Sequence, residues 1–115
     1  MEKQPLFKNL AMAQPLSFIG LADYQPGTIV SRTLAQNPAA NVTVFAFAAD
    51  EEISTHTSDG DALVIALDGE ATVTIDGQTH EVKAGQSIVM PSGVPHAVLA
   101  KTPFKMLLLV LFPLA

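Results

Sequence analysis

The sequence predicts an all-β protein, a sandwich or barrel of about eight short strands, and three observations favour this fold class. Apolar runs of strand length follow one another from Gln25 onward. Residues that favour turns separate these runs at regular intervals. No segment between residues 25 and 115 keeps the periodicity of an α-helix. We therefore expect one β-domain over residues 25–115, preceded by an arm over residues 1–24.

The order of the predicted strands follows from the apolar runs and from the turns between them. Asp76-Gly77 is a strong signal for a two-residue hairpin, and Asp68-Gly69 is nearly as good. Within the arm, the segment KNLAMAQPLSF predicts either one short helical turn or an extended piece broken by Pro15. The predicted strands are Thr28–Ala35, Val42–Ala48, Ala62–Leu67, Ala71–Ile75, Thr79–Val82, Ser87–Met90, Ala97–Ala100 and Lys105–Phe112.

Composition and charge exclude several classes of function. The chain has 115 residues, of which 49% are hydrophobic, and a net charge of -5. Its six lysine and arginine residues are scattered, so the basic surface that nucleic acids or anionic membranes require is missing. There is no cysteine, which excludes disulfides and thiolate catalysis. The C-terminal apolar run is too short to span a bilayer and the N-terminus lacks a signal-peptide core, so we expect a cytoplasmic protein.

Several of the predicted strands are apolar on both faces. In the run ALVIAL, residues 62, 64 and 66 share one face and residues 63, 65 and 67 share the other. A strand with one solvated face would carry polar side chains on that face. One face is therefore expected to fill the barrel, while an arm or a second subunit covers the other. We expect a homodimer in which residues 1–20 cross to the partner.

Two segments carry the features that point to a site. In GQSIVMPSGVPHAV, a strand leads into a turn fixed by Pro91 and Gly93, and His96 follows the turn directly. Proline locks φ and glycine permits positive φ, so this segment reverses tightly and sets His96 at the mouth of the space between two strands. In ISTHTSDGDALVIALDG, His56 occupies a similar position at the edge of a strand.

These two segments resemble the signature motifs of the cupin family, small β-barrels of the RmlC-like jelly-roll fold. The second motif, G-x5-P-x-G-x2-H-x3-N, is matched by Gly85, Pro91, Gly93 and His96, with Ala100 in the place of the asparagine. The first motif, G-x5-H-x-H-x3–4-E-x6-G, is matched by His56 and Gly69. Its other positions differ, since Asp50, Ser58 and Ala62 stand for the first glycine, the second histidine and the glutamate.

The resemblance implies a site inside the barrel, where the family holds a divalent metal, commonly Mn, Fe, Ni or Zn, with three histidines and one glutamate. Only His56 and His96 match these ligands, so the implied centre is incomplete. A shifted register would put Ser54 and His56 in the two histidine places and Asp61 in the carboxylate place, but it leaves Gly69 one residue too far along. We prefer the first register and expect Asp61 to be a turn or rim residue.

A ligand pocket is the second feature that the resemblance implies. We expect Ser58, Ala62, Val64 and His96 to line it, with the Ser58 hydroxyl as a hydrogen-bond donor to a bound molecule. His80 has polar neighbours and is expected on the surface. The acidic run Asp50-Glu51-Glu52 is expected to be a solvated loop.

Three functional hypotheses remain open, because a fold alone does not give a function. The first is a barrel that binds a small molecule without a catalytic metal, which the missing glutamate and second histidine favour. The second is a metal-dependent enzyme of oxygenase or isomerase type acting on a small polar molecule, which requires His56 and His96 to converge. The third is a structural protein acting through oligomerisation, against which a sizeable pocket near His96 would count.

Overall fold

Alternating inward and outward side chains define two antiparallel sheets. The computed structural model describes residues 5–114, and the predicted all-β class is confirmed. The first sheet has the order β1-β2-β9-β4-β7 and the second has the order β3-β8-β5-β6. The strands are β1 (Ile29–Gln36), β2 (Ala40–Phe47), β3 (Glu52–His56), β4 (Asp61–Asp68), β5 (Glu70–Ile75), β6 (Gln78–Lys83), β7 (Ser87–Met90), β8 (His96–Ala100) and β9 (Phe104–Leu111).

The helical structure found within residues 5–114 is a single 3-10 turn at Phe18–Leu21, which lies in the arm before β1. The sequence allowed a short helical turn in this region, although the observed turn follows Pro15 rather than preceding it. No helix in the described part of the chain is long and apolar enough to cross a membrane.

One of the two hairpin predictions is confirmed and the other is wrong. Asp76 and Gly77 have φ values of 50° and 79° and connect the paired strands β5 and β6. Asp68 and Gly69 connect β4 to β5, which lie in different sheets, so this turn is a corner of the barrel. Gly69 has a φ of 74°, and a Cβ there would overlap the carbonyl oxygen of Pro103. Gly69 is therefore needed because two backbone segments approach closely at this point. An Asp-Gly pair looks the same in the sequence whether it forms such a corner or a hairpin.

The inner faces of both sheets form the main core. Ala62, Val64 and Ala66 point inward from β4 and are almost fully buried, as the alternation predicted. The rings of Phe47 and Phe104 meet edge to face with centroids 5.7 Å apart. Both rings belong to the first sheet, in which Phe47 and Phe104 are register partners, and they lie in the same core cluster as inward side chains of the second sheet.

The outer face of the first sheet carries a second apolar cluster. Leu34, Val44 and Leu107 are buried there, and Leu10 and Leu21 of the arm pack against them. The covering that the doubly apolar strands required is thus supplied in part by the arm. Burial of such aliphatic side chains stabilises the fold by roughly 1.5–3 kcal/mol each.

The arm is anchored to its own barrel by polar contacts. The Lys8 amide donates to the carbonyl of Leu34 over 2.8 Å, and Lys105 Nζ donates to the carbonyl of Ile19 over 2.7 Å. Lys105 also lies 4.8 Å from the ring centroid of Tyr24, whose hydroxyl donates to Asp68 over 2.6 Å. Burial and this carboxylate neighbour raise the pKa of the Tyr24 hydroxyl. Covering the sheet therefore does not require that the arm cross to a partner.

Strand β3 is absent from the sequence prediction, which treated residues 50–52 as a solvated loop. The Asp50 amide donates to the Ala100 carbonyl, and the Ala100 amide donates to the Glu51 carbonyl, so the acidic run already lies beside β8. β3 is an edge strand with mostly exposed side chains. An edge strand facing solvent needs no apolar alternation, and its sequence EISTH shows none.

We predict that Gly69→Ala lowers the free energy of unfolding by about 2 kcal/mol or more, because it adds left-handed strain and a clash with the Pro103 carbonyl. Gly77 also has a positive φ, 79°, but it has open space around it, so Gly77→Ala measures the effect of the backbone strain without the clash. Gly20→Ala, which has neither constraint, serves as the neutral control. Urea denaturation of the three variants measures the difference. Equal stability of Gly69→Ala and Gly20→Ala would contradict this account.

Candidate functional site

The loops that carry the two motifs are hydrogen-bonded to each other. The Gly93 amide donates to the Ser58 carbonyl over 2.9 Å. The Ser92 hydroxyl donates to the Asp59 carbonyl over 2.9 Å, and the Ser92 amide donates to Asp61 Oδ1 over 2.8 Å. Residues 57–60 and 91–95 are therefore held as one rim, although they are far apart in sequence.

This rim brings the two predicted histidines together. His56 on β3 and His96 on β8 are partners in the strand register. Their rings meet edge to face, with centroids 4.4 Å apart and an interplanar angle of 73°. The convergence that the sequence could only propose from the order of the motifs is present in the fold.

Backbone hydrogen bonds fix the tautomer of both rings. Nδ1 of His56 lies 2.8 Å from the Ser54 carbonyl oxygen, and Nδ1 of His96 lies 3.1 Å from that of Val94. Because a carbonyl oxygen can only accept, Nδ1 is the donor in each case. In the neutral imidazole the distal nitrogen, Nε2, then carries the free lone pair. Each ring is thus prepared to accept a hydrogen bond or to bind a Lewis acid at Nε2.

The two rings differ in their surroundings. His56 is exposed, whereas only 2% of the His96 surface is accessible. Burial, followed by repulsion from a charged His56, lowers the pKa of His96 below its usual value. Both effects favour the neutral form of His96, whose Nε2 is a hydrogen-bond acceptor.

A cavity of about 290 Å³ lies inside the barrel beside the histidine pair. Its wall is mostly hydrocarbon, with two methionine thioethers, and its polar groups belong to the two histidines and one serine. Within residues 5–114, no lysine, arginine, aspartate or glutamate lines it. The lining residues are Phe45, Ile53, His56, Ser58, Ala62, Met90, His96, Val98, Met106, Leu108 and Val110.

Four of the residues singled out in the sequence line this cavity, namely His56, Ser58, Ala62 and His96. Val64 does not. It points inward from β4 like Ala62, but it is fully buried by other core side chains and does not reach the cavity wall. The prediction gave Val64 the correct face of β4 but the wrong position along the strand.

The residues at the metal positions of the motif do not fit the four-ligand centre that the family uses. Ala62 offers only a methyl group, and the Ser58 hydroxyl already accepts a hydrogen bond from the Gly60 amide over 3.1 Å. Among residues 5–114, no group of three histidine, cysteine or acidic side chains is arranged to hold a metal ion. Two imidazoles without a carboxylate form too small a donor set for a closed site.

The remaining candidate residues lie where the sequence placed them or take a structural role. Asp61 is exposed and accepts from Ser92 on the rim, as expected for a turn residue. Its side chain is on the other face of β4 from Ala62, so it does not supply the missing carboxylate. His80 is exposed on β6, as predicted.

Most of the cavity wall was not singled out in the sequence. Its apolar residues come from β2, β3, β7, β8 and β9, which converge only through the strand order of the two sheets. Once the inward face of β4 is known, the pairings Ala62 with Val110 and Ala66 with Met106 identify two of them. Phe45 then follows from its pairing with Met106.

Comparison with known proteins agrees with this architecture. A solved structure of a Streptococcus pyogenes protein of unknown function is 39% identical, with a TM-score of 0.95, and the match covers 99% of this chain and 100% of that chain. A cupin superfamily protein from Desulfitobacterium hafniense is 32% identical, with a TM-score of 0.88, and the match covers 93% of this chain and 98% of that chain. No curated protein matches the sequence.

A more distant likeness concerns the fold alone. Salicylate 1,2-dioxygenase from Pseudoaminobacter salicylatoxidans is 22% identical, with a TM-score of 0.67, and the match covers 77% of this chain and 26% of that chain. The family model described as the cupin domain matches residues 43–112, which include both motifs, both histidines and every residue that lines the cavity. The chain therefore belongs to the cupin family, as a small barrel of the RmlC-like type.

Proposed function

We propose that this cupin binds a small molecule in its barrel and does so without a resident catalytic metal. The observation that carries the proposal is the cavity of about 290 Å³ whose only polar groups are an imidazole pair and one hydroxyl. Ligand sites are typically concave and mostly apolar, with a few converging polar groups that set orientation. The cavity beside His56 and His96 has this composition.

The two alternative functions are less well supported by the same observation. A purely structural barrel would be filled by its own side chains, and a cavity of this size beside His96 counts against it. A metal-dependent enzyme of oxygenase or isomerase type needs the two histidines to converge, which they do, with ring centroids 4.4 Å apart. It also needs further ligands, and Ser58 and Ala62 do not supply them.

Binding of a neutral apolar probe tests the proposal directly. We expect toluene to raise the melting temperature of the protein by about 5 °C at ten times its Kd, because it stabilises only the folded state. Ala62→Leu, which extends a side chain into the cavity, is expected to abolish this effect. Ala97→Leu makes the same change at a half-buried position on β8 that does not line the cavity, and should retain it. An absent toluene effect in the wild type would overturn the proposal.

Metal content separates the binding protein from the enzyme. After incubation with Mn, Fe, Ni or Zn, we expect the wild type to hold well below one ion per chain. Ser58→His/Ala62→Glu restores the ligand types of the family motif and is expected to gain about one ion per chain. His80→Ala is the control for adventitious surface binding. The measurement is elemental analysis by ICP-MS after gel filtration. About one ion per wild-type chain, lost in His56→Ala/His96→Ala, would favour the enzyme instead.

We infer further that the outer face of the first sheet binds a second copy of the chain. An apolar groove of about 480 Å³ runs between the arm and this sheet, and the residues among 5–114 that line it include no polar or charged side chain. Phe7, Leu16 and Phe18 stand on the arm side of the groove and are each about 40–50% exposed. A ridge and a groove on one face are self-complementary under a two-fold axis, which is the usual symmetry of homodimers.

Charge placed on this surface tests the dimer. We expect the wild type to have the mass of a dimer in gel filtration with light scattering, and Leu16→Lys/Phe18→Lys to have the mass of a monomer, because two buried ammonium groups would lack partners. Leu99→Lys is the control, since Leu99 is 37% exposed on β8 in the other sheet. A monomeric wild type, or a dimeric double variant, would contradict the inference.

A further inference from the structure

The chemistry of the cavity wall restricts the charge of what it can hold. Apart from the imidazole pair and Ser58, the wall presents only aliphatic, aromatic and thioether groups. A full charge moved from water into such surroundings would have no counter-charge, and its desolvation would oppose binding. The part of a ligand that enters the cavity is therefore uncharged.

The polar end of the cavity presents acceptors. Both rings donate at Nδ1 to backbone carbonyls, so their neutral forms offer Nε2 lone pairs. Acceptors of this kind favour a ligand with a hydrogen-bond donor, and the simplest uncharged donor group is a hydroxyl, whose single proton goes to one Nε2. A carbonyl or ether oxygen could not satisfy them.

The volume and the wall favour a single flat ring. A cavity of about 150 Å³ is enough to hold benzene, and this one measures about 290 Å³. One substituted ring therefore fits with room for its substituents. Phe45, Met90 and Met106 line the cavity, and aromatic and thioether groups both make favourable contacts with an aromatic ring.

We propose that the cavity binds a monocyclic phenol, with its hydroxyl donated to one Nε2 of the His56–His96 pair and its ring packed among Phe45, Met90 and Met106. This inference rests on the proposed function, because it assumes that the cavity takes up a small molecule. It adds the chemical class of that molecule. It involves no bond-breaking step.

Four probes of nearly equal size test the assignment. We would titrate p-cresol, p-xylene, p-methylanisole and the ring-saturated analogue of p-cresol into the full-length protein. Two-dimensional NMR would follow the backbone amides of Phe45, His56, His96 and Val98 and give the Kd. We expect p-cresol to bind about tenfold more tightly than p-xylene and p-methylanisole, which lack the donor. It should also bind more tightly than the saturated analogue, which keeps the hydroxyl but not the flat ring.

Variants locate the preference on the histidine pair. His56→Ala removes an exposed ring without opening the core, and it should reduce the advantage of p-cresol over p-xylene several-fold, with the p-xylene affinity of the same variant as the reference for any change in cavity shape. His80→Ala, on the surface of β6, should leave the advantage intact. The same loss in His96→Gln would show that the imidazole of His96 also contributes to the preference for p-cresol.

Each adverse outcome has a distinct meaning. Equal affinity for p-cresol, p-xylene and p-methylanisole would overturn the phenol assignment and leave the small-molecule function standing. Equal affinity for p-cresol and its saturated analogue would also overturn it, in favour of an aliphatic alcohol. If none of the four probes shifts the cavity amides, the proposed function fails and the phenol assignment fails with it.

Discussion

The architecture depends on strand β9, which is apolar on both faces and lies between β2 and β4 in the first sheet. Its inward side chains Phe104, Met106 and Val110 require a second sheet to pack against. Its outward Leu107 and Lys105 require a cover, which the arm supplies through the second apolar cluster and the carbonyl of Ile19. Leaving either face exposed to water would lose roughly 1.5–3 kcal/mol of folding free energy for each large side chain. The barrel and the position of the arm are both consequences of this two-sided burial.

The cavity arises where this packing meets the departures from the family motif. At the Phe47–Phe104 end, aromatic rings fill the barrel. At the other end, Ala62 and Ser58 stand in the places of a glutamate and a histidine, so two large polar groups are replaced by a methyl and a hydroxymethyl group. The change removes the charge that would hold a cation and also leaves space. The imidazoles of His56 and His96 then offer hydrogen-bond acceptors in a mostly apolar cavity.

The predictable part of the structure was the part encoded by local pattern. Asp76-Gly77 specified its hairpin because both residues adopt positive φ in that turn. Asp68-Gly69 has the same local pattern. Its geometry, however, depends on the close approach of the Pro103 carbonyl, which lies more than thirty positions away in the sequence. β3 was missed because an edge strand open to solvent carries no apolar alternation. Likewise, Val64 was assigned to the cavity because alternation gives the face of a residue and not its depth.

The cavity and the outer groove use opposite faces of the same strand. Met106, Leu108 and Val110 line the cavity, while Leu107 and Leu109 line the groove. Because successive side chains of a strand point to opposite sides of the sheet, the two surfaces share backbone but no side chain. A substitution in the groove therefore leaves the cavity wall unaltered, and the reverse also holds. The proposed ligand binding and the proposed dimer formation are thus separable, and each can be tested in a variant whose other surface has been changed.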